Sequence, residues 1–307
     1  MAYRLDPTAP LDAEIRRIAG EQIDRAVGDL AGHGEDESAV HEARKRMKKL
    51  RALVRLARGA RPDFARDENA RYRDAAKGVG GARDRVALIE ALDGLAERFA
   101  DESPRLFAKA RRTLEERRDR ALGSNGDLAA RAAETADALR AGRSRLDGFT
   151  LPHSAKRQRD ALAAGLAHNL SQARRDRRAV RRHGTAETFH DLRKRIKYLG
   201  HHLRLLEPVW PGVLQAMRED ADLAAEHLGR DHDYAVLLTE IEAEPARFGT
   251  SADVARLRAL LARHGQELRA QALAPVDRLL SEAPKALADR LARLWREARR
   301  AGADGSS

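Results

Sequence analysis

A gapless offset of 149 residues lays one long stretch of this chain on another. AVHEARKRMKKL at 39–50 falls on TFHDLRKRIKYL at 188–199, pairing His41 with His190, Arg44 with Arg193, Lys45 with Lys194, Arg46 with Arg195, Lys48 with Lys197 and Leu50 with Leu199. The same offset pairs Arg55 with Arg204, Pro62 with Pro211, Gly80 with Gly229, Asp84 with Asp233 and Leu88 with Leu237. The match runs through a helix, a turn, a second helix, a glycine stop and the start of a third helix. Such a match is an internal duplication, so the halves are expected to share one fold about a pseudo-twofold axis. The period is far longer than a solenoid repeat.

The periodicity is helical almost throughout. Ala, Leu, Arg and Glu dominate, and no alternating strand or Asn-Gly hairpin interrupts them. Breakers divide the chain into helices over 10–31, 37–58, 63–78, 83–99, 104–122 and 127–146, then 154–182, 186–206, 211–228, 232–243, 251–272 and 284–300. The expected fold class is all-α, with a first helical half at 1–148, a second at 149–301 and a disordered tail at 302–307. Gly142 to Pro152 reads as the connector. Gly80 and Gly229 read as C-terminal helix stops, with Asp84 and Asp233 near the next helix starts.

Each repeated helix has two faces. In the second half Phe189, Leu192, Ile196, Leu199, Leu203 and Leu206 follow a 3-4-3-4-3 spacing, as do Val40, Ala43, Met47, Leu50, Val54 and Ala57 in the first. Both are core seams. One residue on, His41, Arg44, Lys48, Arg51 and Arg55 form a basic stripe, matched by His190, Arg193, Lys197 and Arg204. Lys45, Lys194 and His201 fall on the same side. At about 100° per residue the stripe is centred roughly 120–130° from the seam. The preceding helix of the second half adds His168, Arg175, Arg178 and Arg182 at intervals of 7, 3 and 4, beside its apolar Leu166, Leu170, Ala173 and Val180. Its counterpart in the first half (Ile15, Ile18, Ala26, Leu30) is much less basic. Gly200 stands where the first half has Arg51, and marks either a lost charge or a close approach.

Like charges stacked on one stripe repel. A single basic run is usually a solvated helix face. Two in register point to a polyanionic ligand. The acidic run Glu219, Asp220, Asp222 and Glu226 offers internal neutralisation instead, yet the chain carries 59 Lys and Arg against 48 Asp and Glu, a formal charge of +11. Only nine of the basic residues are lysine, and five of those lie at 45–49 and 194–197. The chain has no cysteine, which excludes disulfides, thiol catalysis and Cys-ligated metals. No apolar run approaches a membrane span, and the opening residues lack the features of a secretory signal. A cytoplasmic protein is the expectation.

HEARKRMKKLR with GGARDRVALI, and HDLRKRIKYL with LGRDHDYAVLL, resemble the CHAD family, the conserved histidine α-helical domains. The resemblance covers roughly 10–300. It implies two four-helix-bundle-like halves around a basic central cavity, binding to inorganic polyphosphate, and targeting to polyphosphate granules. By motif position it implies contacts from His41, Arg44, Lys48, His190, Arg193 and Lys197. The helical wheel extends this set to Lys45, Arg51, Arg55, Lys194, His201 and Arg204, and further to His168, Arg175, Arg178 and Arg182. No strand pattern of the CYTH-type triphosphatase domain, to which such domains also occur fused, is present. A stand-alone binding module without cofactor, metal or catalytic residue is expected.

The physics suits a phosphate chain. It has about one negative charge per internal phosphate and no bases to read. Arg supplies bidentate donors, Lys a mobile charge and protonated His two N–H groups. Three rivals stand beside this reading. Nucleic-acid binding is allowed by the charge, at least weakly at low salt, but twelve aromatics provide little stacking. A metal-dependent phosphohydrolase would use His227, Asp231, His232 and Asp233, although Arg83 replaces His232 in the other repeat. A scaffold recruiting granule-associated proteins is compatible with polyphosphate binding.

Overall fold

The computed structural model describes residues 3–33, 36–122 and 125–304, with the side chains at 32–33, 37, 81–84, 121–122, 125–127 and 303–304 outside the description. Among the described residues every regular element is helical. The chain runs through α1 (Leu11–His33), α2 (Glu37–Leu56), α3 (Pro62–Gly78), α4 (Gly81–Arg98), α5 (Pro104–Leu122) and α6 (Asn125–Asp147). It continues through α7 (Ala155–His183), α8 (Ala186–Leu206), α9 (Pro211–Ala243), the short α10 (Pro245–Phe248), α11 (Ser251–Leu279) and α12 (Pro284–Asp304).

Local chemistry sets these ends. Asp36, Ser154, Thr185 and Thr250 cap α2, α7, α8 and α11 by accepting from backbone N–H groups of the first turn. Gly184, at φ +59°, closes α7 in the left-handed conformation. Pro62 and Pro211 each open a helix after a single 3-10 turn, Ala57–Gly59 and Glu207–Val209.

Three expectations are corrected. Residues 211–243 form one helix, so Gly229 stops nothing and Asp233 lies mid-helix. A helical glycine costs about 1 kcal/mol, and burial of Ala224, Ala225, Leu228, Tyr234 and Leu237 along both sides of it outweighs that. Gly80 does lie at a helix break, but before α4 and with a right-handed φ of −84° rather than as a left-handed cap. The side chain of Asp84 lies outside the described residues. Secondly, α11 continues past 272 and through Pro275, because Ala272, Val276 and Leu279 are buried beyond it. Thirdly, α12 extends to Asp304, with Gly302 against Thr8. Only 305–307 of the supposed tail lie outside the description.

All twelve seam residues of α2 and α8 are buried. Each fully buried Leu, Ile or Met contributes about 2 kcal/mol of transfer free energy. The apolar residues gather in two clusters, and both draw on both halves of the sequence. One joins α1, α2, α3, α6, α7, α8, the start of α9, the end of α11 and α12. The other joins α4, α5, the later part of α9, α10 and the start of α11. The boundary near 148 falls at the end of α6, but the cores do not follow it. No described helix is long and apolar enough to cross a membrane.

Candidate functional site: the paired basic stripes of α2 and α8

α2 and α8 meet directly. The buried His202 ring of α8 hydrogen-bonds through Nε2 to the carbonyl of Ala52 on α2, at 2.9 Å. Burial holds that imidazole neutral, at about 4. The contact brings the two stripes side by side.

Three of the motif residues, Lys48, Arg193 and Lys197, act on one another across the two halves. Lys197 is under the positive charges of Arg193, on its own helix, and Lys48, on α2; burial first and then these charges press its ammonium down to about 8, against the pull of Asp233 and Asp222. The two motif arginines share a seat. Arg44 Nη1 donates to the Gly80 carbonyl at 2.8 Å. A Cβ at Gly229, the matched position, would stand 3.4 Å from Arg193 Nε. Each motif arginine thus lies beside one of the glycines that the repeat pairs. A Cβ at Gly200 would stand 3.4 Å from Asp222 Oδ1, an ordinary contact, so the missing side chain is a lost charge rather than a close approach.

His190 stacks on His232 of α9, with ring centroids 4.1 Å apart and 38° between planes. Burial, then Lys194 and Arg193, lower the His190 imidazole from its ordinary value. Burial, His190, Arg193 and Lys194 take His232 to about 4. Both rings are therefore neutral at about pH 7 without a ligand.

A second group lies at the other end of α2. The Arg55 guanidinium sits 4.2 Å from the Tyr198 ring centroid, with Arg51 at 5.7 Å from the same ring. Arg55, Arg58, Arg175 and Arg195 all act on His168, whose imidazole is lowered chiefly by burial. Among the described residues twelve buried side-chain nitrogens and oxygens lack a hydrogen-bond partner, and three of them are stripe nitrogens: Arg55 Nε, His190 Nδ1 and Arg193 Nε. Buried polar groups are overwhelmingly paired in proteins, and an acceptor at these three nitrogens would pair them.

The remaining stripe residues are disposed differently. His41 is half-buried on α2 next to Glu42, whose carboxyl is lowered chiefly by Lys45. Lys45 and Lys194 pair with Glu42 and Asp191, three residues earlier, at 2.6 and 2.5 Å. These are exposed pairs of small net value, and a polyanion can displace them. Arg46 and Arg195 tie their helices to α1 and α7 through Asp29 and Asp176. The acidic run is committed elsewhere: Asp220 to Arg278, Asp222 to Arg218 and Glu226 to Arg230. Only Asp222, acting on Lys197, reaches the stripe.

His201 is packed under the N-terminus. The N-terminal segment straps this end of the stripe: Tyr3 Oη donates to the Lys49 carbonyl at 2.7 Å, and the Leu5 N–H to the Leu205 carbonyl at 2.9 Å. The His201 ring stands edge-on to Tyr3 at 6.0 Å, and burial presses it to about 3. It is a packed, half-buried neutral imidazole. Arg204 remains exposed beside Tyr3 and Lys49. Arg178 and Arg182 are exposed on α7, and no interaction among the described residues joins them to the stripes.

The metal quartet does not converge. Asp231 is buried and takes a hydrogen bond from Arg269 Nε at 2.8 Å, while His232 stacks on His190. Among the described residues no three His, Cys, Asp or Glu side chains form a group able to hold a metal ion. A cleft of about 310 Å³ opens between α4 and α5, lined by Phe99, Phe107, Asp93, Glu102 and Arg111 among others; it includes none of the stripe residues.

Sequence reasoning missed Tyr198, Lys49 and His232 as neighbours of the site. The first two carried a signal, since the 149-residue offset pairs them with each other. His232 was masked by its Arg counterpart in the other repeat.

Lys197→Met tests the electrostatics of the cluster. A lysine held at about 8 in the fold and near its ordinary ~10.4 when unfolded opposes folding in full below the lower value. That penalty fades as pH rises from one to the other. Lys197→Met is expected to stabilise the protein by about 3 kcal/mol near neutral pH, from ~1.36 kcal/mol for each pH unit between the two values, with the gain vanishing above pH ~10. Denaturant unfolding of both proteins across that range checks it. A variant less stable at neutral pH contradicts the assignment.

A family model, described as the CHAD domain, matches residues 17–242. No curated protein matches the chain.

Proposed function

The chain belongs to the CHAD family, and from that premise we propose that it binds inorganic polyphosphate along the α2 and α8 stripes, by binding alone and without catalysis. The observation that carries this reading is the set of three buried, unpartnered stripe nitrogens, Arg55 Nε, His190 Nδ1 and Arg193 Nε. Phosphate oxygens are acceptors only toward such donors, and each charge-assisted hydrogen bond is worth about 1.5–3 kcal/mol. The ligand also relieves the repulsion among Lys48, Arg193 and Lys197. The duplicated halves would then grip one flexible chain from two sides of a basic central cavity. Residence on polyphosphate granules, alone or with granule-associated proteins, follows from that affinity.

The test is a titration with long-chain polyphosphate over a salt series. Counterion release predicts that Kd rises at least about a hundredfold between about 50 and 200 mM salt for six or more phosphate contacts. A salt-independent Kd, or no binding even at low salt, refutes the reading. Phosphate release that requires Mg²⁺ or Mn²⁺ would overturn its non-catalytic part.

A further inference from the structure

His232 has no histidine counterpart in the first half, where Arg83 stands, yet it is the ring on which the motif histidine of the second half rests. We propose that His190 and His232 act as one proton-accepting pair, so that capture of a phosphate chain at this end of the stripe takes up protons from solution. The inference rests on the polyphosphate reading and deepens it.

The stack sets the chemistry. Two imidazoles with centroids 4.1 Å apart cannot both carry a charge without a counter-ion between or beside them. The charges facing them make matters worse. From α8 they meet Arg193 and Lys194, with Asp191 the opposing charge and already bonded to Lys194. From α9, Asp233 acts on Arg193. On the α11 side, Arg269 lies 4.6 Å from the Phe189 ring centroid, next to His190 in sequence, and its charge is engaged by Asp231. The free site is thus rich in cations and short of free carboxylate, and the pair stays neutral.

A phosphate chain reverses the balance. Its charge favours imidazolium, and a protonated ring donates from both nitrogens. His190 Nδ1, buried and unpartnered in the free protein, then has an acceptor. Each ring that changes state takes one proton from solvent, and nothing is oxidised or transferred. By linkage, affinity strengthens as pH falls from about 8 toward 5, by at most about tenfold per pH unit for each proton taken up.

The experiment is calorimetric titration of the full chain with long-chain polyphosphate at pH ~6.5, the range where histidine titrates, in two buffers of different ionisation enthalpy. The internal phosphates of a long chain are fully ionised there, so the difference in heat counts protons bound by the protein. We expect an uptake of about one proton per occupied site, reduced by half or more in His232→Asn. The wild-type comparison stands even if that variant folds poorly; His232→Gln is the alternate replacement. Equal heats in the two buffers, or the same uptake in a folded His232→Asn, overturn the inference while leaving polyphosphate binding in place. Absence of binding in both buffers overturns the parent reading and this inference with it.

Discussion

Replacing Lys48 and Lys197 together by glutamate is expected to raise Kd for polyphosphate at least about a hundredfold, from about 1.5 kcal/mol for each lost charge-assisted contact. Helical content should remain that of the wild type. Lys48 and Lys197 come from different halves and repel each other within one group, so their loss removes the centre of the cross-half site while relieving strain. Reversing Arg44 and Arg193 is a poorer test. Arg44 is bonded to the Gly80 carbonyl and Arg193 lies against Gly229, so both also seat their helices. A double glutamate variant that keeps its fold and binds within about threefold of wild type would reduce the stripes to solvated surface.

The second large effect concerns the framework. α7 crosses the end of α2 so closely that backbone meets backbone. A Cβ at Gly165 would stand 2.3 Å from the Leu56 carbonyl oxygen, and one at Gly59 would stand 2.3 Å from that of Ala161. Neither obstacle is a flexible side chain, so a helix must move. Gly165→Val is expected to cost about 3 kcal/mol or more, at the upper end of overpacking penalties. Thermal or denaturant unfolding reads that loss. The crossing also places His168, one turn after Gly165, within the influence of Arg55 and Arg58. The same variant should therefore weaken polyphosphate binding even where it remains folded. Unchanged stability in Gly165→Val would contradict the close approach.

Much of this was legible in the sequence, for identifiable reasons. The seams of α2 and α8 follow from 3.6-residue periodicity, a local property, and every seam residue is buried as expected. What needed three dimensions was lost. The strap from Tyr3 to Leu5 has no periodicity to announce it, so the packing of Tyr3 against His201 is not legible on the helical wheel. Gly229 reads as a stop because glycine is a poor helix former, yet it lies mid-helix beside the Arg193 side chain. Helix α9 runs through it because burial on both sides exceeds local propensity. The halves looked like separate bundles, since a repeat reveals equivalence and not which copy a helix packs against; both apolar clusters mix the two.

The central claim is that the paired stripes are a site for a phosphate chain rather than a general attraction for polyanions. Parallel calorimetric titrations with long-chain polyphosphate and duplex DNA, at about 150 mM salt where exposed charges more than ~8 Å apart are largely screened, test it most directly. The account predicts sub-micromolar binding of polyphosphate and weak binding of DNA. Equal or tighter binding of DNA would contradict it and make α2 and α8 a nucleic-acid surface.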